Sequence, residues 1–378
     1  MATNEYTVAA FYFPNFHTDP RMEAIHGKNW TEWELIKTAP SRFPGHKVKN
    51  HPLWGYEDEA DPLVMAKKID AAADHGLDVW LFDWYYYDDG PFLERCLTDG
   101  FLKASNRNRM KFALMWANHD WYQIHGYDPT QGDCPINFPG SVKPETFEKI
   151  CDRVIENYFK QPNYWKINGC PVFSIYEINT FALSYPDSDA VLTALEKFRS
   201  KVKAAGFPDL HLNIMYWGEP NLPGGRTPKN WPAVLKAIHA DSATSYTWVH
   251  HGALGAFPET PYQEALKKYI QEYANARETL PVPYFPNVTM GWDNTPRCAR
   301  NIPWKPMPHV GNPVLVGNTP AAFQHALECI KSEMDTVKGQ PKILTINAWN
   351  EWPETSILEP EAEYGYGYLE AIRNVFGK

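Results

Sequence analysis

The chain has 378 residues, among them 15 Trp, 21 Tyr and 19 Phe, enough to bury a large core and still leave aromatic rings for a binding cleft. Its 45 acidic and 36 basic residues give a formal charge of -9, which argues against a nucleic-acid or anionic-membrane partner, since a polyanion needs a basic footprint. No stretch of about eighteen apolar residues occurs, so no membrane span is expected, and six irregularly spaced cysteines with no C-x-x-C pair argue against a zinc knuckle or a disulfide framework. The opening Met-Ala-Thr-Asn-Glu-Tyr lacks the basic and apolar regions of a signal peptide. The compartment stays open between cytoplasmic and, with a trimmed leader, periplasmic or secreted.

The elements follow a repeating order: a short β-rich run, a loop rich in Trp, Asp, Asn or Glu, then an amphipathic helix. Val8 to Pro14 reads as the first strand, followed by a long polar and aromatic excursion from Asn15 to Glu59 that is too long for an ordinary connection. Asp61-Pro62 supplies an N-cap and a first-turn proline for a helix ending near His75-Gly76. Strand two is Val79 to Tyr86, with a helix over 91–105, and strand three is Lys111 to Ala117, with a helix over 144–159. Strand four, Pro171 to Tyr176, leads to a helix over 190–205. Strand five, Leu212 to Tyr216, leads through a Pro/Gly-rich loop to a short helix over 231–239. Strand six is Ala243 to Trp248, with a helix over 262–277. Strand seven is centred on Val288 to Met290, and Thr319-Pro320 opens its helix, which runs to Thr336. Ile343 to Ala348 is the last strand and 367–376 the last helix.

Eight such units predict a single (β/α)8 TIM barrel with long βα loops over residues 1–378. The competing open sheet needs a phosphate loop at its switch point, and no G-x-G-x-x-G or Walker pattern occurs. In a barrel the chemistry sits just after the strands. Those positions hold Asp83 and Trp84; Asn118, His119, Asp120 and Trp121; Glu177; Trp217 and Glu219; His250; Trp292 and Asp293; and Asn350, Glu351 and Glu354. Carboxylates and amides bind sugar hydroxyls while indoles pack on a pyranose's C–H face, so the set predicts a carbohydrate cleft. Asp83 and Asp120 also fit helix or turn caps, Glu177 fits a salt bridge in the barrel mouth, and Trp217 and Trp292 fit ordinary core packing. His250-His251 without a third ligand gives no metal site. In the first excursion Trp30, Glu32 and Trp33, with Arg42 to His46, fit either a cap over the cleft or a surface loop.

The stretch Ile343 to Pro360 carries the sharpest signal. A buried strand empties into Asn-Ala-Trp-Asn-Glu-Trp-Pro-Glu, and Pro353 ends the ladder. A turn there brings Glu351 and Glu354 to one pocket. Two carboxyls in unlike environments, one protonated and one ionised, are what glycosidic bond cleavage requires.

Tyr12-Phe-Pro-Asn-Phe-His17, Trp30-Thr-Glu-Trp33, Phe43-Pro-Gly-His46, Trp116-Ala-Asn118, Asn347-Ala-Trp-Asn-Glu-Trp352, Leu358-Glu-Pro360 and the 364–371 stretch together resemble the WbsX-like proteins, relatives of glycoside hydrolase family 99. The resemblance implies a (β/α)8 retaining hydrolase of α-mannosides or α-rhamnosides within an oligo- or polysaccharide, with no cofactor or metal and an expected monomer. It further implies that Glu351 deprotonates the sugar's own 2-hydroxyl, giving a 1,2-anhydro sugar. Glu354 protonates the leaving oxygen and later activates water. Family 99 continues His-Glu-Gly-Thr-Gln after the Trp where this chain has Pro353-Glu-Thr-Ser356, so mannan specificity is not carried across. The alternatives are a glycosyltransferase of surface polysaccharide assembly, which WbsX-like proteins are often labelled, and a non-catalytic glycan-binding protein.

Overall fold

A computed structural model describes residues 5–49, 51–125, 128, 132, 134–218, 225–306 and 311–377. The strands form a parallel barrel. They are β1 (Thr7–Tyr12), β2 (Val79–Tyr87), β3 (Lys111–Trp116), β4 (Cys170–Ile175), β5 (His211–Met215), β6 (Ser242–Thr244), β7 in two segments (Tyr284–Phe285 and Asn287–Thr289) and β8 (Ile343–Asn347). Neighbours pair in chain order, and β8 returns to β1 in the register Val8 to Leu344 and Ala10 to Ile346. Closure runs through β7, whose first segment pairs with β6 and whose second pairs with β8. Pro286 separates the two segments because it has no N–H to donate; its carbonyl still accepts from Thr345 N at 2.9 Å.

The helices lie outside the barrel. The β1 excursion contains α1 (Pro20–His26) and α2 (Trp33–Lys37) ahead of α3 (Pro62–Asp74). Asp61 caps α3 by accepting from Leu63 N, Pro62 fills the first turn, and Gly76, at φ 91°, follows its end. The remaining helices are α4 (Pro144–Val154), α5 (Ile178–Ala182), α6 (Ser188–Ala204), α7 (Trp231–Ala237), α8 (Tyr262–Thr279), α9 (Pro320–Thr336) and α10 (Gly367–Phe376).

Two expectations change. The helix expected over 91–105 is not an α-helix: Gly90–Phe92 folds back antiparallel on β2, and a π-turn (Cys96–Gly100) and a 3-10 turn (Phe101–Lys103) follow. Strand six stops at Thr244, and Trp248 to His251 form a 3-10 turn capped by Thr247.

The barrel interior below the mouth is polar, and many of its side chains bond one another. Thr244 and Thr345 hydroxyls meet at 3.1 Å, Asn287 Nδ2 donates to Thr345 Oγ1 at 3.1 Å, and Asn213 Nδ2 donates to Ser242 Oγ at 2.8 Å. Aromatic rings fill the layer between strands and helices, as where Trp80 packs on Tyr12 and on Trp349. Such a floor keeps a cavity above it well shaped.

Candidate active site

The carboxyl ends of the strands surround an open cavity of about 60 Å³. Its wall takes Phe13 from β1, Asp83 and Tyr85 from β2, Met115 with Ala117, His119, Asp120 and Trp121 from β3 and its loop, Tyr176 after β4, Tyr246 after β6, and Arg297, Glu351 and Glu354 after β7 and β8. β8 ends at Asn347; Asn350 and Glu351 then pair antiparallel with Ser356 and Ile357, and Trp352–Glu354 make a 3-10 turn between them. The turn puts two glutamates three positions apart on one side, as one helical turn does.

Arg297 joins them. Its Nη1 lies 2.6 Å from Glu354 Oε1, its Nη2 lies 3.2 Å from Glu351 Oε2, and its Nε donates to Glu32 Oε1 at 3.0 Å. The guanidinium also sits over the Phe13 ring at 5.3 Å. Burial works against its charge, yet Glu351, Glu32 and Glu354 outweigh that and hold it protonated far above neutrality. Burial pushes Glu351 well above the usual carboxylate range, Arg297 pulls it down, and Glu354, Glu32 and Asp83 add to the rise. Burial raises Glu354 too, with Arg297 opposing. Burial also drives Asp83 well up, against the bond Tyr246 Oη donates to its Oδ2 at 2.9 Å; the same hydroxyl lies 3.4 Å from Glu351 Oε1. Glu32 goes the other way. Burial would raise it, but Arg297 and then His125 dominate and lower it to about 2.

The cluster thus carries four buried carboxyls against one guanidinium, so it binds protons readily at its Asp83 and Glu351 members while Glu32 stays ionised. Among the described residues, Glu354 Oε2 and Asp83 Oδ1 have no hydrogen-bond partner. Buried acceptors of that kind suit a ligand's hydroxyls.

The other expected residues separate by position. His119 and Trp121 line the cavity; burial lowers His119, whose Nδ1 pairs with Asp120 O at 2.8 Å. Asp120 lines it as well, with Oδ1 taken by Gly140 N and Oδ2 by Tyr122 Oη at 3.2 Å. Glu32 stands behind Arg297, also receiving a bond from Asn15 Nδ2. Trp30 stacks on His26 at 4.2 Å and lies 5.3 Å from His125, a cavity-lining residue.

Several expected contacts face elsewhere. Trp84 is on the helix side of β2, donating to Glu94 Oε1 at 3.0 Å, because successive strand residues point to opposite faces and Asp83 takes the inward one. Asn118 spends its amide on the Glu177 backbone, accepting from N at 2.8 Å and donating to O at 2.9 Å. Asn350 spends its amide on Phe13 and Glu59. Glu177 accepts from Thr180 Oγ1 and is raised by burial to about 7. Trp217 packs behind Tyr176 at 5.6 Å and beside His250 at 5.0 Å; burial drives His250 down to about 3, so it stays neutral. Trp292 is buried, and Asp293 pairs with His46 Nε2 at 2.9 Å beside a separate hollow. Glu219 lies outside the described residues. No described group of three or more His, Cys, Asp or Glu is arranged to hold a metal ion.

Arg297, Tyr246, Tyr176 and Tyr85 were not anticipated. Tyr85 follows from the alternation that places Asp83 inside, and a cation was demanded once several carboxyls were assigned to one mouth. Nothing local in Thr295-Pro-Arg297 identifies which cation it is.

The sequence model of the family described as Glycosyltransferase WbsX matches residues 8–372. Uncharacterized protein WxcX of Xanthomonas campestris pv. campestris strain B100 is 24% identical over 389 residues, which cover 97% of this chain and 49% of that protein; the chain thus spans about half the length of the curated relatives it matches. Among solved structures, a glycoside hydrolase-like protein aligns with TM-score 0.62 at 15% identity, covering 100% of this chain and 95% of that one. The GH99 endo-alpha-mannosidase from Bacteroides thetaiotaomicron aligns with TM-score 0.55 at 16% identity, covering 99% and 97%. These likenesses establish a shared barrel fold.

Proposed function

Because this chain belongs to the WbsX family and sets two buried glutamates against one arginine at its barrel mouth, we propose that it is a retaining glycoside hydrolase acting on an α-mannoside- or α-rhamnoside-type linkage in an oligo- or polysaccharide. The observation that carries this reading is the single guanidinium touching both Glu351 and Glu354 in an aromatic-walled cavity.

In the proposed reaction Glu351 takes the proton from the sugar's 2-hydroxyl, and that oxygen attacks the anomeric carbon from the face opposite the leaving group. The bond to the leaving oxygen breaks, Glu354 gives that oxygen its proton, and a 1,2-anhydro sugar results. Glu354, now ionised, draws a proton from water; the water opens the strained ring, and Glu351 returns its proton to O2. Two displacements give net retention. A 2-hydroxyl trans to the leaving group is needed, as in α-mannosides and α-rhamnosides. His119, Asp120 and Trp121 would contact the sugar.

The cavity sets two conditions on these roles: Glu351, which burial pushes well above the usual carboxylate range, must give up its proton before it can act as base, and Glu354 must hold one to act as acid. Arg297 lies nearer Glu354 than Glu351, and a nearby cation favours the carboxylate form. For Glu354 to act as the acid, the incoming glycan must open that bond. Four buried carboxyls sharing few positive charges supply the proton it then keeps.

The test is a screen of plant, fungal and bacterial polysaccharides with product masses, followed by Glu351→Gln and Glu354→Gln. Each variant should fold and lose cleavage; an active Glu354→Gln enzyme refutes the acid role. The family's printed description favours a second reading, glycosyl transfer, for which tight sugar-nucleotide binding by calorimetry without polysaccharide cleavage would decide.

A further inference from the structure

One ionic cluster of the fold never reaches the cavity. α3 carries Lys68 into a wholly buried position, where Nζ lies 2.6 Å from Glu59 Oε1 and 2.7 Å from Glu359 Oε1. Each carboxylate has a second duty. Glu59 Oε1 accepts from Asn350 Nδ2 at 2.9 Å, and Glu359 Oε2 accepts from Trp352 Nε1 at 2.9 Å. Asn350 and Trp352 are the residues immediately before and after Glu351. Asn350 also brackets the Phe13 backbone, accepting from its N–H at 2.8 Å and donating to its carbonyl at 2.7 Å.

Burying one ammonium with two carboxylates is costly, and apolar side chains of similar volume often serve stability as well or better. A charge cluster kept under such conditions needs another use, and here both of its acidic arms end on the neighbours of one residue. We propose that Lys68 is a positioning residue for the reaction centre: by holding Glu59 and Glu359 it fixes Asn350 and Trp352, and through them the direction of the Glu351 carboxyl toward Arg297. The inference rests on Glu351 being a reacting group.

The test compares the whole protein with Lys68→Met and with a triple variant, Lys68→Met with Glu59→Gln and Glu359→Gln. The triple variant removes the uncompensated charges but keeps acceptor oxygens for Asn350 and Trp352. Turnover of a soluble α-mannan is followed by reducing-end release, well below each variant's Tm and per folded molecule by circular dichroism. A misplacement of about 1 Å typically costs on the order of 100-fold in rate, so Lys68→Met should lose about 30- to 100-fold in kcat with KM within about twofold. The triple variant should regain both Tm and most of kcat. Crystal structures of wild type and Lys68→Met supply a readout without turnover: the Glu351–Arg297 contact is present in the first and lost in the second. Wild-type kcat in folded Lys68→Met overturns the proposal, as does a triple variant that regains Tm without rate, or an unmoved Glu351. If the wild type cleaves no glycan the hydrolase reading fails by itself, and the two crystal structures still decide whether Lys68 positions Glu351.

Discussion

Replacing Arg297 by Met keeps most of the side chain's length and removes the one charge that touches Glu32, Glu351 and Glu354. The magnitude can be worked from Glu32, which is fully buried and lowered from its ordinary 4.5 to about 2 with Arg297 as the chief opposing charge. A depressed carboxyl contributes stability that is present above its unfolded pKa and lost as pH falls through its folded one. About 2.5 pKa units correspond to roughly 3 kcal/mol at pH 7, falling to roughly 2 kcal/mol at pH 3.5. Urea unfolding of wild type and Arg297→Met, followed by tryptophan fluorescence between pH 7 and pH 3.5, should therefore give a gap of about 3 kcal/mol that narrows by about 1 kcal/mol toward acid. Glu351 and Glu354 should meanwhile keep their protons to higher pH, so the rate near neutrality falls and its optimum moves upward. A gap that stays constant across this range, or an unshifted pH–rate profile, would refute the assignment of Arg297 as the countercharge.

Glu177→Gln should flatten the pH dependence of stability. Burial raises this carboxyl to about 7, so its contribution is full below pH 4.5 and lost as pH rises toward 7, on the order of 3 kcal/mol, and an unchanged slope in urea titrations over pH 4.5–7 would contradict it. Gly291→Ala should be poorly folded or show a displaced Trp352–Glu354 turn, since a Cβ there would lie 2.4 Å from Thr355 O and 2.8 Å from Asn318 Nδ2; thermal unfolding and activity together check this, and wild-type values for both would be inconsistent. Trp84→Ala should lose about 3–5 kcal/mol of stability while the folded fraction keeps its kcat, because the indole packs in the helix layer; a selective loss of kcat would return Trp84 to the site.

The barrel was largely legible from the sequence because its signals are local. Asp61-Pro62 and Thr319-Pro320 combine an N-cap oxygen with a proline that starts a helix, and both helices begin there. Short β-branched runs ending in polar residues located the strands. The stretch after β2 departs from the helix expected over 91–105 for a tertiary reason: Gly100 sits where a Cβ would lie 2.1 Å from Glu59 O, so contact with the first excursion governs the chain's path there more than helix propensity does. At the site, Asp83, His119, Asp120 and Trp121 reach the cavity wall with Glu351 and Glu354. Asn118 and Asn350 have the same composition signal but are consumed by backbone groups, a distinction that only three-dimensional bond counting reveals. Arg297 was invisible because its partners are 54, 57 and 265 positions away.

Pro286 has a consequence for how the wall holds together. Every other junction between adjacent staves is an unbroken ladder, whereas here two short pieces each grip one neighbour, leaving a seam along the cylinder. The seam lies beside the strand that delivers Glu351 and Glu354. Amide deuteration should therefore enter at 284–289 sooner than along β1 or β2, and a swelling of the mouth to admit a bulky chain would begin on that side.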